Sequence, residues 1–264
     1  MSLAIELRDI ATQLARQAGD MALHGRKTGT LKLETKSSPV DMVTQYDKAS
    51  EELITAGLAQ LRPHDAIVGE EGANTRGTSG ITWHIDPIDG TTNFMYDLPT
   101  WAVSIGAVDE HGPIAGAVYA PALNEMFSAA RGHGAHVNQT LLTVRSIPSL
   151  QHALVATGFS YNVAGRAPHT QRVARMLMTV RDIRRMGAAA IDLCFVAAGR
   201  YDAFFEEGLN SWDLVAGQLI ATEAGAVVTN FNGESVTPAQ VLATSPELQQ
   251  NMINLIRECS VEKP

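Results

Sequence analysis

The nine residues Asp86-Pro87-Ile88-Asp89-Gly90-Thr91-Thr92-Asn93-Phe94 constrain this chain more than any other stretch. Two carboxylates are followed by a glycine, two hydroxyls and an amide. Trp83-His84-Ile85, just before, reads as the end of a buried strand. Pro87 cannot continue a central strand, so the chain turns there. Thr91, Thr92 and Asn93 suit a helix start. Two acids aimed into one turn repel each other unless a cation lies between them. Backbone N–H groups at a helix start attract an anion. A divalent cation beside a phosphate satisfies both tendencies, which is the outline of a metal-dependent phosphatase. Asp-Pro and Asp-Gly are also ordinary turn dipeptides, so a solvated turn would account for this stretch taken alone.

Two further clusters bear on that choice. Ile67-Val68-Gly69-Glu70-Glu71-Gly72 ends a short apolar run in adjacent acids. Ser211-Trp212-Asp213-Leu214-Val215-Ala216-Gly217 places Asp213 at the start of an apolar, helix-like segment. Helix capping would by itself explain Asp213. Together the clusters offer Glu70, Asp86, Asp89 and Asp213, all hard oxygen donors, with the Ile88 carbonyl in the same turn. No Cys or His stands at metal spacing, so Mg²⁺, Mn²⁺ or Ca²⁺ is favoured over Zn²⁺.

The set GEE, DPIDGTTNF and WDLVAG resembles the inositol monophosphatase family of lithium-sensitive, Mg²⁺-dependent phosphatases. Lys36 to Thr44 with Asp47, Val103 to Gly106, Gly132 to Ala135, Arg185 to Ala190, and Phe205-Glu206 with Gly208 extend the likeness over residues 30 to 230. The resemblance implies an α/β fold, a layered α-β-α-β-α sandwich, and hydrolysis of an inositol 1-phosphate-like monoester by metal-activated water. It implies two Mg²⁺ ions, or three, with Li⁺ as inhibitor. Glu70, Asp86 and the Ile88 carbonyl would hold the first ion, and Asp86, Asp89 and Asp213 the second. Asp47 and Thr91 would orient the water, with Glu70 near the nucleophile. Substrate would be bound by Asp89, Gly90, Thr91, Ala189, Glu206 and Asp213. Asp47 also reads as a capping-box residue, and the two roles can coexist. Ala188 stands where the family often has Ser or Thr, so strict inositol preference is not implied. Arg184 and Arg185 read as ion-paired or interface residues ahead of substrate-phosphate contacts, Glu207 as solvated, and Lys36 equally as a charge steering the loop over the site or as a solvated one. The same metal core serves fructose-1,6-bisphosphatase, histidinol-phosphatase and 3′-phosphoadenosine nucleotidase. A non-catalytic metal- or phosphate-binding regulatory protein is the alternative of another class.

Composition is that of a globular enzyme: 264 residues, 45% hydrophobic and 18% charged. A net charge of −8 disfavours non-specific nucleic-acid binding. The expected ligand is a small phosphorylated polyol or sugar, with no nucleic acid and no membrane. Two cysteines, Cys194 and Cys259, make no disulfide framework. Residues 1–26 lack the apolar core of a signal peptide, so the expected location is cytoplasmic. A homodimer is expected from the resemblance alone.

Periodicity predicts helices over 2–24, from 44 to Pro63, and over 170–181, 187–199, 212–224 and 246–258. Strands are expected at 66–68, 83–85, 103–108, 114–119 and 126–129, then at 154–157, 201–205, 226–228 and 240–243. Residues 1–148 would form a helix pair with an antiparallel-rich sheet carrying GEE and DPIDGTTNF. Residues 149–264 would form an α/β half carrying WDLVAG, within one compact unit.

Overall fold

The structure is a computed structural model and describes residues 2–35, 42–160 and 163–260, with the side chains of 163–165 excluded. Lys36 and the motif through Asp41 lie outside the described residues. In chain order the elements are α1 (Leu3–Thr28), β1 (Leu33–Thr35), β2 (Met42–Thr44), α2 (Gln45–Leu61), β3 (Ala66–Gly69), β4 (Asn74–Thr75), β5 (Thr82–Asp89) and α3 (Thr91–Met95). They continue as β6 (Ala102–Asp109), β7 (Gly112–Ala120), β8 (Glu125–Ala130), β9 (Ala135–Val137), β10 (Thr140–Leu141), β11 (Leu154–Thr157) and α4 (Val163–Met176). The chain ends with β12 (Asp182–Arg184), α5 (Ala189–Ala197), β13 (Ala203–Glu207), α6 (Ser211–Glu223), β14 (Val227–Thr229), β15 (Gln240–Thr244) and α7 (Pro246–Ser260).

Two large sheets organise these elements, beside a two-stranded antiparallel pair of β1 and β2. The larger has eight strands in the order β10-β9-β8-β7-β6-β5-β3-β4, and the smaller has five in the order β12-β11-β13-β15-β14. Helices α1 and α2 cover one face of the large sheet. Their buried stripe of Leu7, Ala11, Leu14, Ala18, Ile54 and Leu58 meets Trp83, Ile85, Val103 and Ile105. Helices α5 and α6 fill the space between the sheets, and α4 and α7 close the outer face of the small one. This is the α-β-α-β-α sandwich expected from the resemblance.

The central strands are buried on both faces, which is why β6 reads as a nearly continuous apolar run rather than an alternation. Helix α6 lies directly on them. A Cβ at Gly106 would fall 2.5 Å from Val215, and one at Gly116 2.9 Å from the Ala216 backbone. Two small residues therefore set the depth at which α6 is seated.

Some boundaries differ from expectation. The helix expected over 170–181 starts at Val163, carries Pro168 inside it, and ends at Met176. The chain then enters β12, a short edge strand parallel to β11. Met176 and Val180 are buried against the small sheet, so packing rather than periodicity ends the helix. Both cysteines are buried, and neither is in a disulfide. No helix among the described residues is long and apolar enough to cross a membrane.

Candidate metal and phosphate site

Strand β5 delivers the acids. Its pairing with β6 is regular from Thr82 to Asp86 and breaks between Asp86 and Asp89, where Pro87 interrupts the ladder. Asp86 Oδ1 accepts the N–H of Ile88 at 3.0 Å, closing the turn. Ser50 braces it by donating to the Pro87 carbonyl at 3.1 Å. Gly90 then takes φ +87°, a left-handed conformation that favours glycine. The short helix α3 follows, with Thr91 at its first position.

Each of the four aspartates of the site uses one oxygen to hold backbone. Asp47, in the first turn of α2, accepts the Thr44 N–H at 2.8 Å and its hydroxyl at 2.5 Å through Oδ2. Its Oδ1 accepts the Thr91 hydroxyl at 3.2 Å. The capping role and the Thr91 pairing do coexist. Asp89 Oδ2 accepts the Ala190 N–H at 2.7 Å and so serves the first turn of α5 from a distant strand. Asp213 Oδ2 accepts the Asn210 N–H at 2.6 Å, closing the start of α6. With Asp86, each aspartate is thus oriented by a backbone N–H, a nearby one for Asp47, Asp86 and Asp213 and a distant one for Asp89.

Carboxylate oxygens of Asp86, Asp89 and Asp213 lie within 4.8 Å of one another. Burial first, then the charges of Glu70, Asp89 and Asp213, push Asp86 well above the ordinary carboxylate range. Burial and Asp213 do the same to Asp89, although the Ala190 N–H opposes them. Asp213 is pushed up to about 6, mainly by burial, against the Asn210 bond that stabilises its charge. Acids that crowd this way are at odds with their environment as anions. A cation bound among them removes both the repulsion and the desolvation cost. The donors are hard oxygens, so the site fits a Mg²⁺-type ion.

The surrounding pocket is lined by Glu70, Ile88, Gly90, Thr91, Phe159, Ser160, Arg185, Ala188, Ala189 and Glu206 as well as the three aspartates. All the site residues predicted from the sequence therefore converge, with Asp47 reaching the pocket through Thr91. Glu206 ends β13. A Cβ at Gly158 would fall 2.1 Å from its carboxylate, so glycine leaves the room it occupies. Burial lifts Glu206 to about 8, while Arg185 pulls it down.

Several contributors escape sequence reasoning. Glu51, buried in α2, accepts the N–H groups of Glu71 and Ala73 at 2.9 Å each and shapes the loop that presents Glu70. Asn93 donates to the carbonyls of Thr100 at 2.6 Å and Met186 at 2.7 Å, tying α3 to the segment bearing Ala188. Asp192 is buried beneath the pocket with neither oxygen hydrogen-bonded among the described residues, and burial together with Glu206 and Asp89 drives it strongly upward. Arg184 pairs with Asp182 at 2.6 Å, in line with an ion-paired reading. Arg185 instead lines the pocket, without an ion pair or hydrogen bond among the described residues. Glu207 is not simply solvated. It meets Arg172 at 2.6 Å and His169 at 3.5 Å, and these partners overcome its burial and hold it at about 2. Adjacent strand residues face opposite sides, so only Glu206 reaches the pocket.

A sandwich of this layering, with acids from two sheets and a central helix meeting at one pocket, defines a class of carboxylate-rich hydrolases. The family model described as "Inositol monophosphatase family" matches residues 4–261. "Inositol-1-monophosphatase SuhB" of Mycobacterium tuberculosis is 43% identical over 241 residues, covering 84% of this chain and 83% of that protein. "Nus factor SuhB" of Pasteurella multocida is 39% identical over 255 residues, covering 95% and 96%. Among solved structures, the extragenic suppressor protein suhB of Bartonella henselae superposes with a TM-score of 0.91 at 31% identity, covering 96% and 99%. The chain belongs to the inositol monophosphatase family. It is a phosphoric monoester hydrolase.

Proposed function

We propose that the enzyme hydrolyses monoesters of phosphorylated polyols, with inositol 1-phosphate as the leading substrate. The convergence of Asp86, Asp89 and Asp213 beside Glu70 and Thr91, with Glu206 across the same pocket, carries this reading. Glu70, Asp86 and the Ile88 carbonyl would hold one Mg²⁺, and Asp86, Asp89 and Asp213 another. Bound there, Mg²⁺ neutralises phosphate charge and lowers the pKa of water. Backbone N–H groups of Gly90 and Thr91 bind phosphate oxygens at the start of α3. The Thr91 hydroxyl donates to Asp47 Oδ1 and to the Ile88 carbonyl at 3.1 Å. Its lone pairs accept a hydrogen bond from the attacking water, and Asp47 draws the relayed proton. Glu206 accepts hydrogen bonds from substrate hydroxyls, and Ala189 borders the ring.

Arg185 favours a second reading. It is the one basic side chain among the described pocket-lining residues, where it makes no ion pair or hydrogen bond and acts on Glu206 through its charge alone. A second anionic group on the substrate, as in a sugar bisphosphate, would pair with it.

The test is phosphate release, with and without Mg²⁺. The substrates are inositol 1-phosphate, fructose 1,6-bisphosphate, histidinol phosphate, 3′-phosphoadenosine 5′-phosphate and glycerol 2-phosphate. Mg²⁺-dependent turnover is expected, inhibited by millimolar Li⁺, with inositol 1-phosphate ahead about tenfold in kcat/KM, or about 1.4 kcal/mol. A lead for a bisphosphate that Arg185→Ala erases would establish the second reading instead. Absence of Mg²⁺-dependent release from every substrate overturns both.

A further inference from the structure

Asp86 and Asp89 stand on a strand of the large sheet, while Asp213 stands on a helix packed over it. Ionised together, these acids would repel one another and push α6 from β5. Two side-chain hydrogen bonds oppose that push, and both attach to the residues just before Asp213. His84 Nδ1 lies 2.8 Å from Ser211 Oγ. Ser104 Oγ donates to the Trp212 carbonyl at 3.2 Å. The placement is specific on the strand side too. His84 is two residues before Asp86, so the two side chains share a face of β5, toward α6. Ser104 is the register partner of Asp86 on β6. Trp83 and Ile85 take the opposite face, against α1 and α2.

None of His84, Ser104 and Ser211 lines the metal and phosphate pocket. His84 and Ser211 open instead onto a separate cleft with His111, Pro113, Leu214 and Gln218. Their influence on the reaction therefore passes through the spacing of the acids. We propose that the His84–Ser211 bond is a positioning clamp that sets the distance between the β5 aspartates and Asp213, and with it divalent-cation affinity. Ser104 acts as its second point of attachment. The inference rests on the reading that these acids hold a metal.

The experiment measures Mn²⁺ binding calorimetrically in the full-length protein, beside the Mg²⁺ dependence of phosphate release. Wild-type protein is titrated first, since its failure to bind Mn²⁺ would overturn the metal reading itself. His84→Phe and Ser211→Ala are each expected to raise the Mn²⁺ Kd three- to tenfold and the half-saturating Mg²⁺ in parallel. Turnover should recover at saturating Mg²⁺, with the substrate KM unchanged. The double variant should be no worse than either single one, because both remove the same bond. Ser211→Thr, which keeps a hydroxyl, should restore wild-type affinity. Wild-type Mn²⁺ affinity in both single variants overturns the clamp. So does a lowered melting temperature with no change in Kd, which would mark the bond as merely structural.

Discussion

Asp213→Asn is expected to fold, to lose about 10²–10³-fold or more in kcat/KM, and, with divalent cations chelated, to be more stable than the wild type at pH 7. The asparagine carbonyl can still accept the Asn210 N–H, so the start of α6 survives. What disappears is a carboxylate lifted from its ordinary 3.8 to about 6. An acid raised on folding weakens the native state as it ionises. The penalty is absent below pH 3.8, grows between 3.8 and 6, and is complete above that. Its size is at most about 3 kcal/mol, reduced by solvent screening because the side chain is only partly buried. In EDTA the variant should therefore melt above the wild type at pH 7, and the two should converge near pH 4. Saturating Mg²⁺ should reverse the order, because only the wild type keeps the full ligand set. Melting curves in EDTA and in Mg²⁺ at both pH values check this. A variant melting below the wild type in EDTA at pH 7 would mean that the acids do not repel as described. Near-wild-type turnover would remove Asp213 from the site.

Thr91→Ala separates chemistry from binding. Removing the hydroxyl should lower kcat by about 10²–10⁴-fold, the range of a positioned proton-transfer group. Mn²⁺ affinity should stay within about twofold, because no carboxylate is moved. Asp47 keeps both bonds to Thr44, so the stability cost should be about 1–2 kcal/mol, that of one buried hydroxyl bond. Thr44→Val is the complementary variant. It removes the hydroxyl at the start of α2 and should lower the melting temperature while leaving Thr91 opposite Asp47. Retained turnover in Thr91→Ala would end the Thr91–Asp47 assignment.

The features legible in the sequence are those encoded locally. The Asp86–Phe94 stretch combines an apolar strand end, a proline, a glycine and helix-start residues. Each of these acts within a few positions of itself. Asp47 and Asp213 were readable as helix-start acids for the same reason. The contributions of Glu51, Asn93 and Asp192 were not readable, because each depends on a neighbour brought in by the fold. Glu51 looks like one more helical acid until the loop at Glu71 and Ala73 closes over it. Asp89 as the anchor of α5 depends on a contact with Ala190 that no spacing in the chain announces. The different surroundings of Arg184 and Arg185, and of Glu206 and Glu207, are not legible in the sequence because adjacent like residues diverge in space. One arginine of the pair meets an acid and the other lines the pocket, and one glutamate reaches the pocket while its neighbour meets Arg172.

The double duty of the aspartates affects how this fold ages under selection. Asp47, Asp86, Asp89 and Asp213 each close a turn or a helix start with one oxygen. A lineage that abandoned the reaction would still be selected to keep a hydrogen-bond acceptor at each position, although asparagine would serve in place of Asp213. Their survival in a descendant reports first that the scaffold is intact. Glu206 is differently placed, since its carboxylate makes no hydrogen bond among the described residues and burial keeps it uncomfortable as an anion. Without a substrate to bind, its replacement would relieve the protein. Glu206 is thus the position where disuse should leave its earliest trace, and its retention beside the four aspartates is the stronger sign of living chemistry.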